Sequence, residues 1–96
     1  MWLAVRWIDN HCHLELDTLE ATVDQASAAG VERMIDVGTD LATSIAAISK
    51  AAASDKVWAT VGIHPHEARH GIGGIEEMLG SDRVVAVGEC GLDYHY

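Results

Sequence analysis

Four of the chain's six histidines fall into two short pairs, His11-Cys-His13 and His64-Pro-His66, and a lone acid, Glu89, follows the apolar run Val84-Val-Ala-Val-Gly88. Residues two apart on extended backbone project to the same face, so His11 and His13 share one face while Cys12 takes the other. Two neutral imidazoles on one face are half of a divalent-metal site and suit Zn, Mn, Ni or Fe. The same pair can also be simply solvated or hydrogen-bonded. Glu89 emerges from the end of an apolar strand, where an anion is costly to desolvate unless a cation or a donor meets it. A metal shared with His11 and His13 would meet it. Asp9 has the parity of the two histidines and is expected to orient one of them from behind, as carboxylates commonly do for metal-bound imidazoles.

The second pair reads in two ways. Pro65 fixes its own φ and pushes His64 into extended backbone, which makes His64-Pro-His66 either a rigid turn or a loop that overhangs the site and touches substrate. Asp93 and Tyr94 either line the same site or cap a turn. His70 and His95 read as surface residues. Cys12 and Cys90 read as small buried hydrophobes, because a zinc site built from both cysteines and two histidines would need Cys12 on the face of His11. The stretch Gly71-Ile-Gly-Gly74 reads as a flexible loop and not as a phosphate cradle.

The elements that must position these groups alternate in type. The pattern predicts strands over Val5–Asn10, Met34–Gly38, Val57–Ile63 and Val84–Glu89. Between them it predicts a helix over Leu19–Ala29, capped by Thr18 and stopped by Gly30, and a helix opened by Asp40 or Thr43 that runs to about Ala53. A short helix is predicted over Ile75–Leu79. Strands alternating with helices imply a parallel sheet with right-handed crossovers and no internal domain boundary. Chemistry in such sheets gathers at the carboxyl ends of the strands. The first strand ends at His11 and His13, the third at His64 and His66, and the fourth at Glu89. The second ends at Gly38-Thr-Asp40 and offers only a carboxylate.

Composition narrows the class. The 96 residues carry 6 Lys plus Arg against 15 Asp plus Glu, a formal net charge of −9. That excludes a chain held on nucleic acid by a basic surface, so a phosphate substrate would need some other cation. Hydrophobic residues make up 49% of the chain, with no Phe, which excludes a disordered polar tract. No apolar run of about 18 residues occurs, so no spanning helix and no membrane partner is expected. The start, Met1-Trp-Leu-Ala-Val-Arg-Trp-Ile8, lacks the layout of a secretory leader, and two cysteines are too few for a disulfide scaffold. The expectation is a soluble, cytoplasmic, acidic α/β chain. The segment from Gly88 to Tyr96 follows a strand with no helix after it, and a parallel sheet normally covers its last strand with one. The sequence therefore reads as cut off rather than finished.

Three motifs, Asp9-Asn-His-Cys-His-Leu-Glu15, Val61-Gly-Ile-His-Pro-His-Glu-Ala68 and Val87-Gly-Glu-Cys-Gly-Leu-Asp-Tyr94, stand in an order and spacing that closely resemble the amino-terminal part of the TatD family. These are metal-dependent hydrolases related to the amidohydrolase superfamily. The resemblance implies an α/β fold, a partial (β/α)8 TIM barrel of about the first four strands, with residues 1–96 as a single segment. It implies divalent metal ions (Zn, Mg, Mn or similar), two of them in the full-length protein, with His11 and His13 as ligands of one and Glu89 as the catalytic, bridging carboxylate. His64 and His66 would face substrate, and Asp93 is grouped with them. The implied reaction is hydrolysis of phosphodiester bonds by a metal-activated water, commonly on DNA, with a small phosphodiester as the other candidate substrate. Family members draw further ligands, two His and an Asp, from later strands, and a full barrel takes about 250 residues. The missing carboxy-terminal half is thus an expected partner. Two other readings stand beside this one: hydrolysis of amides, lactones or phosphotriesters by a related metal barrel, and an inactive fragment or half of a split protein.

Overall fold

The computed structural model describes residues 5–92; Asp93, Tyr94 and His95 lie outside the described residues. Four strands, β1 (Trp7–Cys12), β2 (Val31–Val37), β3 (Val57–Val61) and β4 (Val84–Val87), alternate with three helices, α1 (Leu19–Ala28), α2 (Leu41–Ala53) and α3 (Ile75–Met78). All neighbouring strands are parallel and lie in the order β1-β2-β3-β4. A doubly wound sheet returns to its opposite edge at a switch point, whereas here each crossover adds the next strand to the same edge. Sequential growth of this kind gives an arc of a (β/α) barrel.

One face of the arc is packed. Leu19 and Val23 of α1, Ala47 and Ala51 of α2, Met34 of β2, and Val57 and Ala59 of β3 form the core with Leu14. Small alanines on α2 let that helix lie close on the sheet, which compensates for the lack of bulky aromatics. On β4, Val84 packs against this core while Val85 and Val87 project from the other face, 50% and 56% exposed. Val85 and Val87 share the parity that in a closed barrel points to the interior, while Ala86, on the face of Val84, is exposed as well.

Helix ends follow local chemistry. Asp40 caps α2: its Oδ1 accepts from the Thr43 amide at 2.8 Å and the Thr43 hydroxyl accepts from the Asp40 amide at 3.0 Å. These reciprocal bonds satisfy donors that a helix start otherwise leaves unpaired. They also hold the Asp40 carboxyl below the usual carboxylate range, the Thr43 amide being the largest cause. Gly30, at φ +97°, turns the chain out of α1. Thr18 makes no side-chain cap, because a 3-10 turn over Leu16–Thr18 leads into α1 instead. β2 begins at Val31, earlier than the apolar pattern predicts. Trp7 donates to the Gly30 carbonyl at 3.0 Å and pairs with Val31, so the ladder starts at the turn itself. The exposed pair Arg6–Glu32, at 2.8 Å, accounts for the polar start of β2. The segment after β3 is also more ordered than a loop, forming a 3-10 turn over Pro65–His70.

Candidate metal centre

β1 ends at Cys12, and the residues after it are fastened to β2 by bonds outside the sheet ladder. Cys12 Sγ donates to the Ile35 carbonyl at 3.3 Å, His13 Nδ1 meets the Val37 carbonyl at 3.1 Å, and the Leu14 amide donates to Asp36 Oδ1 at 2.6 Å. Burial pushes the Cys12 thiol up to about 11, with Asp9 and Asp36 adding to the shift, so Cys12 is a packing group and not a nucleophile. A carbonyl oxygen can only accept. Nδ1 of His13 therefore carries the proton of the neutral ring, and Nε2 is left with its lone pair. That is the form a metal needs.

Asp9 does not supply this orientation. Its Oδ1 accepts from the His11 amide at 3.2 Å, within the stretch of β1 where the register with β2 shifts. The Val37 carbonyl holds His13 instead, a partner invisible to side-chain pattern because it is backbone.

Glu89 reaches the histidines from the far side of the sheet. Three strand spacings separate β4 from β1, about 14 Å on a flat sheet, yet Glu89 Oε2 lies 3.8 Å from His11 Nε2. Curvature accounts for part of this and a fold-over of the backbone for the rest. The Gly88 amide donates to the Val61 carbonyl at 2.9 Å, and the Glu89 amide reaches the Gly38 carbonyl of the β2 end at 3.4 Å, over the end of β3. Gly62 lies beneath. A Cβ on Gly62 would stand 2.6 Å from Gly88 C and O and 2.7 Å from Glu89 O. Gly38 gives the same kind of clearance to α2, since a Cβ there would come within 2.7 Å of Ser44 Cα. The buried Ser44 hydroxyl accepts from the Gly62 amide at 3.2 Å and faces the Gly62 carbonyl at 3.3 Å, tying α2 to the same point.

The outcome is a cluster of His11, His13 and Glu89 with one ligand atom from each lying within 4.8 Å of the others. The His11 and His13 rings meet edge to face, their centroids 5.3 Å apart. Ligands held about 2.0–2.2 Å from one first-row dication lie about 3 to 3.5 Å from each other, so the triangle must tighten to hold one such ion. The donor set, two borderline nitrogens and a hard oxygen, fits such an ion.

His64 approaches the opposite carboxylate oxygen, Nε2 standing 3.8 Å from Glu89 Oε1. Its Nδ1 accepts the His66 amide at 3.0 Å. The neutral ring of His64 thus bears its proton on Nε2 and presents a donor toward the cluster, the reverse of His13. His66 is not brought to Glu89; its Nε2 faces Glu67 Oε1 at 4.0 Å. His70 is exposed and pairs with Glu67 at 3.3 Å. Cys90, expected to be buried, is exposed, because the chain beyond β4 leaves the packed face.

One group near the site was not read from the pattern. Asp36 of β2 and Lys50 of α2 form an ion pair of 2.9 Å, both side chains nearly buried. The signal was present: a carboxylate inside Met34-Ile-Asp-Val-Gly38 and a lone lysine on an alanine-rich helix.

Among the described residues no helix is long and apolar enough to cross a membrane. The sequence model described as TatD related DNase matches residues 8–96. The chain is 38% identical over 96 residues to an uncharacterized metal-dependent hydrolase, YabD, of Bacillus subtilis, covering 92% of this chain and 38% of that protein. It is 46% identical over 77 residues to the 3'-5' ssDNA/RNA exonuclease TatD of Edwardsiella piscicida, covering 75% of this chain and 30% of that one. The crystal structure of YJJV, a TatD homologue from Escherichia coli K12, superposes with a TM-score of 0.79 at 30% identity, over 93% of this chain and 38% of that chain. The chain thus spans well under half the length of these relatives. It belongs to the TatD related DNase family.

Proposed function

We propose that the protein hydrolyses phosphodiester bonds of single-stranded nucleic acid, as a TatD-type deoxyribonuclease, at a divalent-metal centre held by His11, His13 and Glu89. The observation that carries this reading is the convergence of those three side chains from β1 and β4, with ligand atoms within 4.8 Å of one another. The name of the Edwardsiella piscicida relative, a 3'-5' ssDNA/RNA exonuclease, supports the substrate class.

Charge supports it as well. The chain has a formal net charge of −9, and several of its basic side chains are engaged elsewhere. Arg6 pairs with Glu32, Lys50 with Asp36, Lys56 with Ser27, and Arg83 spans the carbonyls of Ser54, Asp55 and Val57 while stacking on Trp58. Attraction of a phosphate then falls to cations at the cluster.

A divalent ion, when bound, acidifies water and offsets the charge of a phosphate. The chain's own residues do the rest. His13 offers Nε2 because Val37 holds Nδ1, and His11 sets a second nitrogen beside it. Glu89 contributes a carboxylate whose backbone is fixed by Gly38. His64 directs an Nε2–H at the same space, where it can donate to an anionic oxygen of the substrate.

The test is an assay of the protein at its natural length with Mg, Mn or Zn on single-stranded and duplex DNA, beside Glu89→Ala. Metal-dependent cleavage lost in Glu89→Ala is expected. No cleavage above that control, or turnover of lactones and amides with none of DNA, would overturn the reading.

A further inference from the structure

We infer that the buried Asp36–Lys50 pair is a positioning device for the histidines of the metal centre, acting through the backbone of Leu14. The inference rests on the metal-centre reading above. Leu14 follows His13, and both of its peptide groups are held by this pair. Its amide donates to Asp36 Oδ1 at 2.6 Å, Lys50 Nζ donates to its carbonyl at 2.6 Å, and Lys50 Nζ meets Asp36 Oδ2 at 2.9 Å. The three contacts close a ring around one residue. Asp36 is 1% exposed, and the Lys50 side chain is 12% exposed.

Placement of the ring explains why it bears on the centre. Ladder pairing between β1 and β2 ends at Cys12↔Asp36. Beyond that point the chain has no sheet partner, and His13 would be free to swing. Residues 12, 13 and 14 are instead bonded one by one to residues 35, 37 and 36. The first two bonds are single contacts, but the third is charge-assisted and doubled by a lysine from a different element. Charge-assisted bonds are shorter and stronger than neutral ones. Asp36 also lies next to Val37, whose carbonyl sets the His13 tautomer, so one β2 dipeptide fixes both the backbone and the ring.

Burying two charges is poor value for stability. Replacing a buried ion pair by apolar residues of similar volume is often neutral or stabilising, whereas removing one partner strands the other. A pair kept for stability alone is therefore an odd choice, but a pair that orders the segment carrying two ligands has a use. Groups behind metal ligands commonly change metal affinity by about ten- to a hundredfold.

The experiment compares Co(II) titrations, followed by visible d–d absorption, of the wild-type protein at natural length and of Asp36→Leu/Lys50→Met, with a thermal melt of each. Expected are a melting temperature near wild type, Co(II) affinity weakened about tenfold or more, and a changed d–d spectrum. Asp36→Asn/Lys50→Met, whose side-chain amide oxygen can still accept the Leu14 amide, should recover part of the affinity. Wild-type affinity and spectrum in the folded apolar variant would overturn the inference while leaving the metal centre standing. Should that variant not fold, Asp36→Ala/Lys50→Met, which likewise offers Leu14 no bond, takes its place, and an affinity within about threefold of wild type overturns the inference. Failure of the wild-type protein itself to bind Co(II) overturns the metal-centre reading, and the inference with it.

Discussion

Gly62 at the end of β3 lies directly beneath Glu89, and the absence of a side chain at Gly62 lets the Glu89 backbone cross over β3 to the Gly38 carbonyl of β2. The carboxylate of the fourth strand thereby reaches ligands carried by the first. A site spread over three strand spacings is assembled by one close backbone approach and not by long side chains.

Gly62→Ala should disturb the site more than the fold. The added methyl meets backbone atoms at 2.6–2.7 Å, and overpacking of that kind costs about 1–3 kcal/mol. The Gly88–Glu89 peptide must lift to relieve it. Thermal melts should show a modest loss, while metal-dependent hydrolysis should fall to the level of Glu89→Ala. Wild-type turnover in Gly62→Ala would contradict the crossing as the means of placing Glu89.

His64 should separate from His11 and His13 in a metal titration. Its proton-bearing Nε2 faces Glu89 from the side opposite His11, and a bond donated to a charged group contributes about 1.5–3 kcal/mol. His64→Ala is expected to lower kcat/KM by about ten- to a hundredfold and to leave metal affinity close to wild type. His11→Ala and His13→Ala should abolish both. Loss of metal binding in His64→Ala would make it a ligand and contradict the tautomer argument.

The Asp40 cap predicts a pH signature. Because Thr43 holds the folded-state carboxyl below its ordinary value of 3.8, the cap stabilises fully above that value and fades as the pH falls through the lowered one. Asp40→Ala should cost about 1 kcal/mol near pH 6, measured by urea unfolding. The gap between variant and wild type should shrink on acidification to pH 3. A gap that stayed constant or widened would contradict the cap.

How much of this was legible in the sequence depends on the kind of bond involved. The order of strands and helices was readable, because apolar alternation reports which face meets the helices. His11, His13 and Glu89 were readable as candidates, because imidazoles and a carboxylate at strand ends are rare and conspicuous. What escaped the pattern is backbone. The Val37 carbonyl that sets the His13 tautomer, the Gly38 carbonyl that catches Glu89 and the Leu14 peptide groups held by Asp36 and Lys50 have no side-chain signature. Asp9 was credited with a role that a carbonyl performs, since parity reports direction but not distance. Val31–Arg33 were missed as strand because Glu32 and Arg33 interrupt the apolar run, Glu32 being paired with the exposed Arg6.

The most direct test of the account is a crystal of the protein at natural length, soaked in Zn(II), with anomalous diffraction recorded at the zinc edge. The account predicts a peak between β1 and β4 within about 2.0–2.2 Å of nitrogens of His11 and His13 and of a Glu89 carboxylate oxygen. Zinc bound elsewhere while these three side chains stay unligated and apart would contradict it.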